Sequence, residues 1–319
     1  MHGMLTELNI QNFRLFKKLE LKGLRRINLF AGKNNTGKTA LLEALRIIAA
    51  DAHVTVVNNI IARRGQLIAG QEESYYSLFN RNSLQQQESG AELKIRLGPI
   101  RITRPAVSGG KITFTGAKTP GGQWGTHIPF DHPKDGCVFV PFGNESSFPL
   151  QQLWDGIVLT PAEDDVVSIL QQTILPDIKR VDIREDRTLV RLSSEPSPIP
   201  LKNLGDGAQR LLLLAIALVS AKGKMLLIDE IEAGLHYTVQ EQLWSLIFEY
   251  AEKWDIQVFV TTHSQDTVKS FTHHLEQPGY AETGAYFRLQ KMRNSDEIEV
   301  IPYDLERLEL TLDAKLEPR

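Results

Sequence analysis

The residues whose types and spacing most clearly suggest chemistry form a glycine-rich loop at positions 32–39. The loop reads Gly-Lys-Asn-Asn-Thr-Gly-Lys-Thr, which fits the phosphate-binding pattern of a glycine, four residues and then Gly-Lys-Thr. Glycine permits a turn in which successive backbone N–H groups surround a polyphosphate. Lys38 would reach the β- and γ-phosphates, and the Thr39 hydroxyl would bind Mg²⁺. The positions predicted to bind the nucleotide are Gly32, Asn34, Asn35, Thr36, Gly37, Lys38, Thr39 and Ala40.

The segments on either side of this phosphate loop support the prediction. Residues 27–31 are mostly apolar and predict a strand that enters the loop, and residues 40–50 predict a helix that leaves it. The positive end of that helix dipole would face the phosphates. A glycine-rich turn that fits the pattern by chance is the competing interpretation, and the flanking strand and helix disfavour it.

Two carboxylates follow a short apolar strand in the second half of the chain. Residues 225–228 are apolar, and Asp229 and Glu230 come directly after them. A strand buried on both faces would bring these carboxylates to the carboxyl edge of a parallel sheet, where ligands bind. Asp229 would hold Mg²⁺ through water, and Glu230 would orient or deprotonate the attacking water. A solvated acidic turn is the alternative, which the phosphate loop upstream disfavours.

His263 follows the next predicted strand, at residues 256–261. A neutral imidazole at that position could form a hydrogen bond with a γ-phosphate. A lone histidine is more often an ordinary surface residue, so this prediction depends on the two motifs already described.

A second glycine-rich turn opens an apolar helix. Residues 204–210 read Leu-Gly-Asp-Gly-Ala-Gln-Arg, and Asp206 occupies the predicted N-cap position. The helix N-terminus is a second potential anion site, formed by Gly205, Asp206 and Gly207.

The elements that must position these residues indicate an α/β protein with a mostly parallel, doubly wound sheet. Apolar strands alternate with helices through the second half of the chain. Residues 5–10 and 19–22 predict an additional N-terminal antiparallel sheet, and residues 285–290 and 297–302 predict a closing antiparallel pair. The polar residues 63–90 predict a mobile connection.

Composition limits the class of protein. The chain has 319 residues, of which 42% are apolar and 24% charged, so about two domains are expected. The single cysteine, Cys137, excludes an internal disulfide, and residues 211–219, the longest apolar run, are too short to cross a bilayer. With no secretory signal, we expect a cytoplasmic protein that does not bind membranes. The net charge of −3 means that nucleic-acid binding would need a local patch.

Such a patch is predicted in a β-rich insertion at residues 72–142. The insertion would separate the N-terminal part of the nucleotide-binding domain (1–71) from its C-terminal part (143–319). Apolar residues there alternate with basic ones, and residues 93–130 contain no Asp or Glu. The basic residues on the outward face are Lys94, Arg96, Arg101 and Lys111. They would contact nucleic acid or an acidic partner, or they would merely blunt exposed strand edges.

The order of the motifs resembles the ABC-type ATPase heads, and among them the branch of RecF, SMC and OLD (overcoming-lysogenization-defect) proteins. Residues 204–210 resemble the ABC signature in its OLD-like form, residues 229–236 resemble the Walker B and D-loop run, and His263 matches the switch histidine. Residues 5–14 resemble the first strand and turn of these heads. Gly205 and Asp206 stand where transporter ATPases carry Ser and Gly, and Tyr237 replaces the usual Pro. The Q-loop residue is Gln151 or Gln152.

The resemblance implies an ABC-type P-loop ATPase head that binds ATP and Mg²⁺, with Lys38, Glu230 and His263 as catalytic residues. It also implies an ATP-driven, head-to-tail homodimer, in which each signature turn completes the neighbouring active site. We expect a role in DNA maintenance or antiviral defence, with a separate effector protein. Several OLD-type proteins carry a C-terminal nuclease domain, and from the short stretch after His263 we expect no such domain and no intrinsic nuclease activity here.

Two alternatives remain open. One is a scaffold that hydrolyses ATP slowly and regulates a partner protein. The other is the ATPase subunit of a membrane transporter, which the form of the signature and the basic insertion disfavour.

Overall fold

The computed structural model describes residues 4–50, 53–65, 77–78, 84–89, 92–97, 100–103, 111–114, 136–142, 150–184, 187–293 and 295–313. The strands are β1 (Glu7–Phe13), β2 (Phe16–Lys22), β3 (Ile27–Ala31), β4 (Leu84–Ser89), β5 (Glu92–Leu97), β6 (Ile100–Thr103), β7 (Lys111–Phe114), β8 (Cys137–Val140), β9 (Ile178–Ile183), β10 (Thr188–Leu192), β11 (Ile199–Pro200), β12 (Met225–Ile228), β13 (Gln257–Thr262), β14 (Gly284–Lys291) and β15 (Ile298–Tyr303). The helices are α1 (Lys38–Ala49), α2 (Val54–Arg63), α3 (Leu150–Asp155), α4 (Pro161–Thr173), α5 (Asp206–Ser220), α6 (Tyr237–Lys253), α7 (Gln265–Leu275) and α8 (Leu305–Asp313).

A six-stranded sheet forms the centre of the head, in the order β15-β14-β3-β13-β12-β8. Five of these strands run parallel, and the edge strand β15 pairs antiparallel with β14. Strands β3, β12 and β13 are buried along their whole length. Layers on both faces therefore cover the sheet, as parallel sheets require. The predicted α/β fold class is confirmed.

Alternate residues of the central strands face two separate hydrophobic cores. Leu226 and Ile228 belong to the core built with α4 to α7, whereas Met225 and Leu227 belong to the core shared with α1, β1 and β2. The period of two follows from the pleat of a strand. Leu227 is fully buried, so Leu227→Ala would cost about 2–5 kcal/mol of stability.

A four-stranded antiparallel sheet, in the order β2-β1-β6-β7, is the second layer of the head. Gln257 of β13 fixes this layer to the central sheet, because its buried amide exchanges hydrogen bonds with the backbone N–H (2.9 Å) and carbonyl oxygen (2.7 Å) of Leu5. The predicted N-terminal antiparallel sheet is thus present, and it contains strands from the predicted insertion.

The predicted three-part division of the chain stays a prediction. Within residues 72–142, β6 pairs with β1, and β8 pairs with β12 of the central sheet. These pairings attach the segment to both sheets of the head.

Two local predictions are wrong. Residues 84–89, expected in an irregular connection, form β4 and pair with β5, because backbone pairing does not need an apolar pattern. Asp206, expected as an N-cap, is the first residue of α5, and Gly205 is the N-cap. Gly205 has a φ of 107°, a value that glycine adopts without strain. None of the helices described above has the length and apolarity needed to cross a membrane.

Candidate active site

Three neighbouring strands of the central sheet end at the same edge and carry the predicted site residues. β13 pairs with β3 on one side and with β12 on the other, and all three strands run parallel. Their carboxyl ends therefore lie together. This strand order brings the phosphate loop after β3, the carboxylates after β12 and His263 after β13 to one site.

Two glycines of the phosphate loop occupy positions that a larger residue could not fill. A Cβ atom at Gly32 would lie 2.5 Å from the carbonyl oxygen of Leu289. Gly37 is the N-cap of α1 with a φ of 91°, and a Cβ atom there would lie 2.8 Å from the ring of Phe16. The glycine pattern in the sequence thus has a steric cause at both positions.

Lys38 folds back into the loop that precedes it. Its Nζ atom donates hydrogen bonds to the carbonyl oxygens of Gly32 (2.8 Å) and Lys33 (3.1 Å). The Thr36 hydroxyl donates to the same Lys33 oxygen at 2.8 Å. Asn35 has a φ of 65°, a left-handed conformation that Asn tolerates better than most residues. These contacts curve the loop around the ammonium group.

Asp229 connects the phosphate loop with the adjacent strand. Its Oδ2 atom accepts a hydrogen bond from the Thr39 hydroxyl at 2.8 Å, and its Oδ1 atom accepts one from the Thr261 hydroxyl at 2.6 Å. The same Thr261 oxygen accepts the backbone N–H of Glu230 at 2.9 Å. Hydrogen bonds to a carboxylate are stronger than neutral ones, so this chain fixes both carboxylate-bearing residues relative to the loop.

Glu230 and His263 meet beside this network. Glu230 has a φ of 50°, which is uncommon outside glycine and places it in a tight turn after β12. Its Oε1 atom lies 3.4 Å from His263 Nδ1. A second carboxylate, Glu232, places its Oε1 atom 3.1 Å from the same ring nitrogen. The switch histidine predicted from the sequence therefore contacts the predicted catalytic glutamate.

Burial and neighbouring charges shift the pKa values of two groups at this site. Burial lowers the pKa of Lys38, and the carboxylates of Glu230, Asp229 and Glu232 oppose that shift. Burial also raises the pKa of Glu230, where His263 acts to lower it and the charges of Glu232 and Asp229 raise it further. A glutamate with a raised pKa is better suited to accept a proton than an exposed one.

The oxygen atoms beside the loop fit a magnesium ion. The Thr39 hydroxyl and an Asp229 carboxylate oxygen lie 2.8 Å apart. Hydroxyl and carboxylate oxygens are the hard ligands that Mg²⁺ prefers. Such an ion would supply positive charge to the phosphates of a bound nucleotide.

Comparisons with known sequences point to nucleotide hydrolysis. Residues 124–268 match the family described as "AAA domain, putative AbiEii toxin, Type IV TA system", and residues 4–88 match "AAA ATPase domain". An "ATP/GTP phosphatase" of Helicobacter pylori is 23% identical, and the alignment covers 94% of this chain and 95% of that protein. The "DNA replication and repair protein RecF" of Acinetobacter baumannii is 47% identical over 45 residues, which are 14% of this chain and 12% of that protein.

Two solved SMC heads share the fold. The Smc head of Pyrococcus furiosus with an extended coiled coil, bound to the C-terminal domain of ScpA, matches with a TM-score of 0.57 at 12% identity over 97% of this chain and 98% of that chain. An SMC head bound to the C-winged helix domain of ScpA matches with a TM-score of 0.55 at 14% identity, over 95% and 98%. The family matches and the shared fold support an ABC-type ATPase of the RecF/SMC-like kind.

In this ABC-type ATPase, the turn that resembles the signature lies against the loop after β12. A Cβ atom on Gly207 would lie 3.3 Å from the carbonyl oxygen of Gly234. Glycine at this position permits close packing of the helix start on that loop. The side chain of Asp206 lies outside the described residues.

Arg210 connects the signature helix α5 with the carboxylate-bearing turn. Its guanidinium group donates to the carbonyl oxygens of Pro141 (3.2 Å), Asp229 (3.4 Å) and Glu230 (3.4 Å). The side chain is buried, so these carbonyl contacts replace its lost hydration. A shift of α5 would therefore act directly on the backbone of Glu230.

Sequence reasoning missed three residues of this ABC-type site: Thr261, Glu232 and Arg210. Thr261 was detectable as a hydroxyl residue at the end of a strand predicted to be buried on both faces, since such a hydroxyl needs a partner. Glu232 and Arg210 lie in the quoted motifs, but nothing in their spacing indicates which groups they contact.

The roles predicted for the site residues all stay predictions, and for two groups of them the described contacts add nothing. Gln151 lies on α3, where its amide donates to Asp155 at 2.8 Å, and Gln152 is exposed on the same helix. The side chains of the basic insertion residues lie outside what the structure describes; these residues are Lys94, Arg96, Arg101 and Lys111.

Proposed function

We propose that this ATPase is an ATP-driven switch whose hydrolytic site is built from the phosphate loop, Asp229, Glu230 and His263. The observation that carries this proposal is the Thr39–Asp229–Thr261 hydrogen-bond chain, which fixes the magnesium ligands and the Glu230 turn together. In this proposal, Lys38 binds the β- and γ-phosphates, and Thr39 and Asp229 hold Mg²⁺. The remaining nucleotide contacts come from Gly32, Asn34, Asn35, Thr36, Gly37 and Ala40.

Glu230 would act on the attacking water. Its carboxylate would accept the water proton as the water oxygen bonds to the γ-phosphorus and the bond from that phosphorus to the β,γ-bridging oxygen breaks, which releases ADP. His263 would hold a γ-phosphate oxygen. The contact between Glu230 and His263 at 3.4 Å supports this shared task, because it keeps the base and the phosphate-binding ring adjacent.

Two variants test these roles. Lys38→Ala should abolish ATP binding because it removes the charge that compensates the phosphates, whereas Glu230→Gln should bind ATP and lose hydrolysis. Binding is measured by isothermal titration and hydrolysis by phosphate release. Lys269→Ala and Glu249→Gln change exposed residues of the same types on α7 and α6 and serve as controls. Equal hydrolysis by wild type and Glu230→Gln would refute the assignment.

We further propose that ATP drives formation of a homodimer, in which Gly205, Asp206 and Gly207 of one chain complete the site of the other. The N-terminus of α5 supports this, since its free N–H groups and dipole favour phosphate. Arg210 would transmit docking at this turn to the backbone of Glu230. Light scattering should find dimers of Glu230→Gln in ATP and Mg²⁺ and monomers without nucleotide. Monomers in both conditions would contradict the dimer.

The biological role that we propose is DNA maintenance or antiviral defence in the manner of OLD-like ATPases, with a separate effector. Three similarities support a role of this type. The chain is similar to RecF, to a family whose description names a toxin–antitoxin system, and to SMC heads bound to ScpA. An ATP-dependent scaffold that regulates a partner protein is the second candidate, which the ScpA-bound neighbours favour. Measuring hydrolysis with and without duplex DNA, alongside recovery of a co-purifying protein, separates the two.

The basic face of the insertion is the proposed nucleic-acid contact. Replacing Lys94, Arg96, Arg101 and Lys111 by Glu should weaken salt-sensitive DNA binding, because such contacts are made mainly to phosphates. Hydrolysis without DNA should persist. Unchanged DNA binding would leave these residues as ordinary strand-edge charges.

We also propose that the chain has no nuclease activity of its own. Four acidic residues near the C-terminus each pair with a different residue and do not converge on one metal site. Asp296 pairs with Lys291, Glu297 with Lys17, Glu299 accepts from Gln290, and Asp304 accepts the backbone N–H of Arg307. Plasmid cleavage by purified Lys38→Ala, lost when Asp304 and Glu306 are replaced, would overturn this proposal.

A further inference from the structure

The turn after β12 reaches the end of β13 through a glutamate that the proposed chemistry does not use. Glu232 Oε1 accepts the backbone N–H of His263 at 2.9 Å and lies 3.1 Å from Nδ1 of the same residue. One carboxylate oxygen thus contacts both the main chain and the ring of His263. The Glu232 side chain is 10% exposed and that of His263 is 45% exposed, so the contact is shielded and the ring remains accessible.

Glu232 lies closer to the ring of His263 than Glu230 does. Glu230 Oε1 lies 3.4 Å from Nδ1, which is longer than the 3.1 Å contact with Glu232. Glu232 is also anchored by the His263 N–H, which fixes the distance between the two residues. Glu230, in the proposed mechanism, must keep its carboxylate available for water. With Glu232 beside the ring, His263 can be oriented while the carboxylate of Glu230 stays available for water.

We propose that Glu232 is a positioning residue that orients His263 for the hydrolytic step; this inference rests on the proposed function. A carboxylate can only accept hydrogen bonds, so in this proposal Nδ1, the ring nitrogen 3.1 Å from Glu232, carries the proton. The ring nitrogen that remains for a ligand is Nε2. Hydrogen bonding at one imidazole nitrogen sets the role of the other, as it does in carboxylate–histidine pairs at metal sites.

The direct test is the protonation of the ring. In the full chain with ¹⁵N-labelled histidine, the signal of His263 is identified by its loss in His263→Ala. Nδ1 should be protonated in wild type and in Glu230→Ala, where Glu232 remains. In Glu232→Ala the ring should shift toward the form protonated at Nε2. An unprotonated Nδ1 in wild type, or an unchanged ring in Glu232→Ala, overturns the proposal.

The kinetic test separates positioning from a general loss of structure. Glu232→Ala should lower kcat for ATP about 10- to 100-fold, the range found when the hydrogen-bond partner of a metal-binding histidine is removed, and leave KM unchanged. Glu232→Gln should retain more activity than Glu232→Ala, because its amide oxygen can still accept the backbone N–H of His263 and lie beside the ring. If Glu232→Ala does not fold, Glu232→Asp provides the same test, since it keeps the charge but shortens the reach.

A double-mutant cycle identifies the residue through which Glu232 acts. When His263 is already Ala, replacing Glu232 by Ala should change kcat less than twofold, because there is no ring left to orient. Additive losses would refute the proposal. If His263→Ala itself hydrolyses ATP normally, the proposed role of His263 fails, whereas the ring measurement still decides whether Glu232 positions the imidazole.

Discussion

Replacing Thr261 by Val tests whether the hydroxyl chain holds the active site together. Thr261 is fully buried at the end of β13, and Val has nearly the same shape, so the change removes a hydroxyl without opening a cavity. Two hydrogen bonds are lost, the 2.6 Å bond to Asp229 and the 2.9 Å bond from the Glu230 N–H. The perturbation is therefore confined to the two carboxylate-bearing residues.

The expected loss of stability follows from these two bonds. A hydrogen bond to a charged group contributes about 1.5–3 kcal/mol, and a buried N–H left without a partner costs about 1–3 kcal/mol. Asp229 keeps its bond from Thr39, which limits the first contribution. We expect Thr261→Val to lower the free energy of unfolding by about 3 kcal/mol and kcat for ATP by about 10-fold.

Urea unfolding followed by tryptophan fluorescence measures the first quantity, and phosphate release measures the second. Thr262→Val is the matched control, because Thr262 is equally buried in the same strand and its hydroxyl accepts the N–H of Ser264. That control should cost about 1 kcal/mol. If Thr261→Val were no more destabilising than Thr262→Val, the hydroxyl chain would not support the site.

Three further predictions concern the surroundings of the site. Glu43→Gln should lower the free energy of unfolding in urea by about 3 kcal/mol, since the buried guanidinium of Arg14 would lose its carboxylate partner. A decrease of less than about 1 kcal/mol would contradict a stabilising pair. Gly37→Ala should raise the Kd for ATP in isothermal titration, because its φ of 91° and the Phe16 ring exclude a Cβ atom, and unchanged affinity would show that the loop can adapt. Arg210→Met should lower kcat about 10-fold while retaining ATP binding, because the backbone of the carboxylate-bearing turn loses its donor; normal turnover would exclude coupling through α5.

The sequence alone determined the parts of this protein whose causes are local. The phosphate loop could be predicted because its glycines and Gly-Lys-Thr stand at a fixed spacing in one short stretch of chain. The strands β3, β12 and β13 could be predicted because strands that are buried on both faces appear in a sequence as short apolar runs. Asp229, Glu230 and His263 directly follow two of these strands, which places all three at the carboxyl edge of a parallel sheet.

The tertiary structure alone decided which side chains complete the site. Thr39 and Asp229 are 190 positions apart in the chain. They meet because β3 and β12, the strands that precede them, have only β13 between them in the sheet. Thr261, Arg210 and Glu232 acquire their contacts from that strand order and from the packing of α5. A sequence does not distinguish a polar residue that is solvated from one that is hydrogen-bonded within the protein. Strand β4 shows that a polar run can also form a strand. Register and helix packing supply the missing distances, because they depend on contacts between residues far apart in the chain.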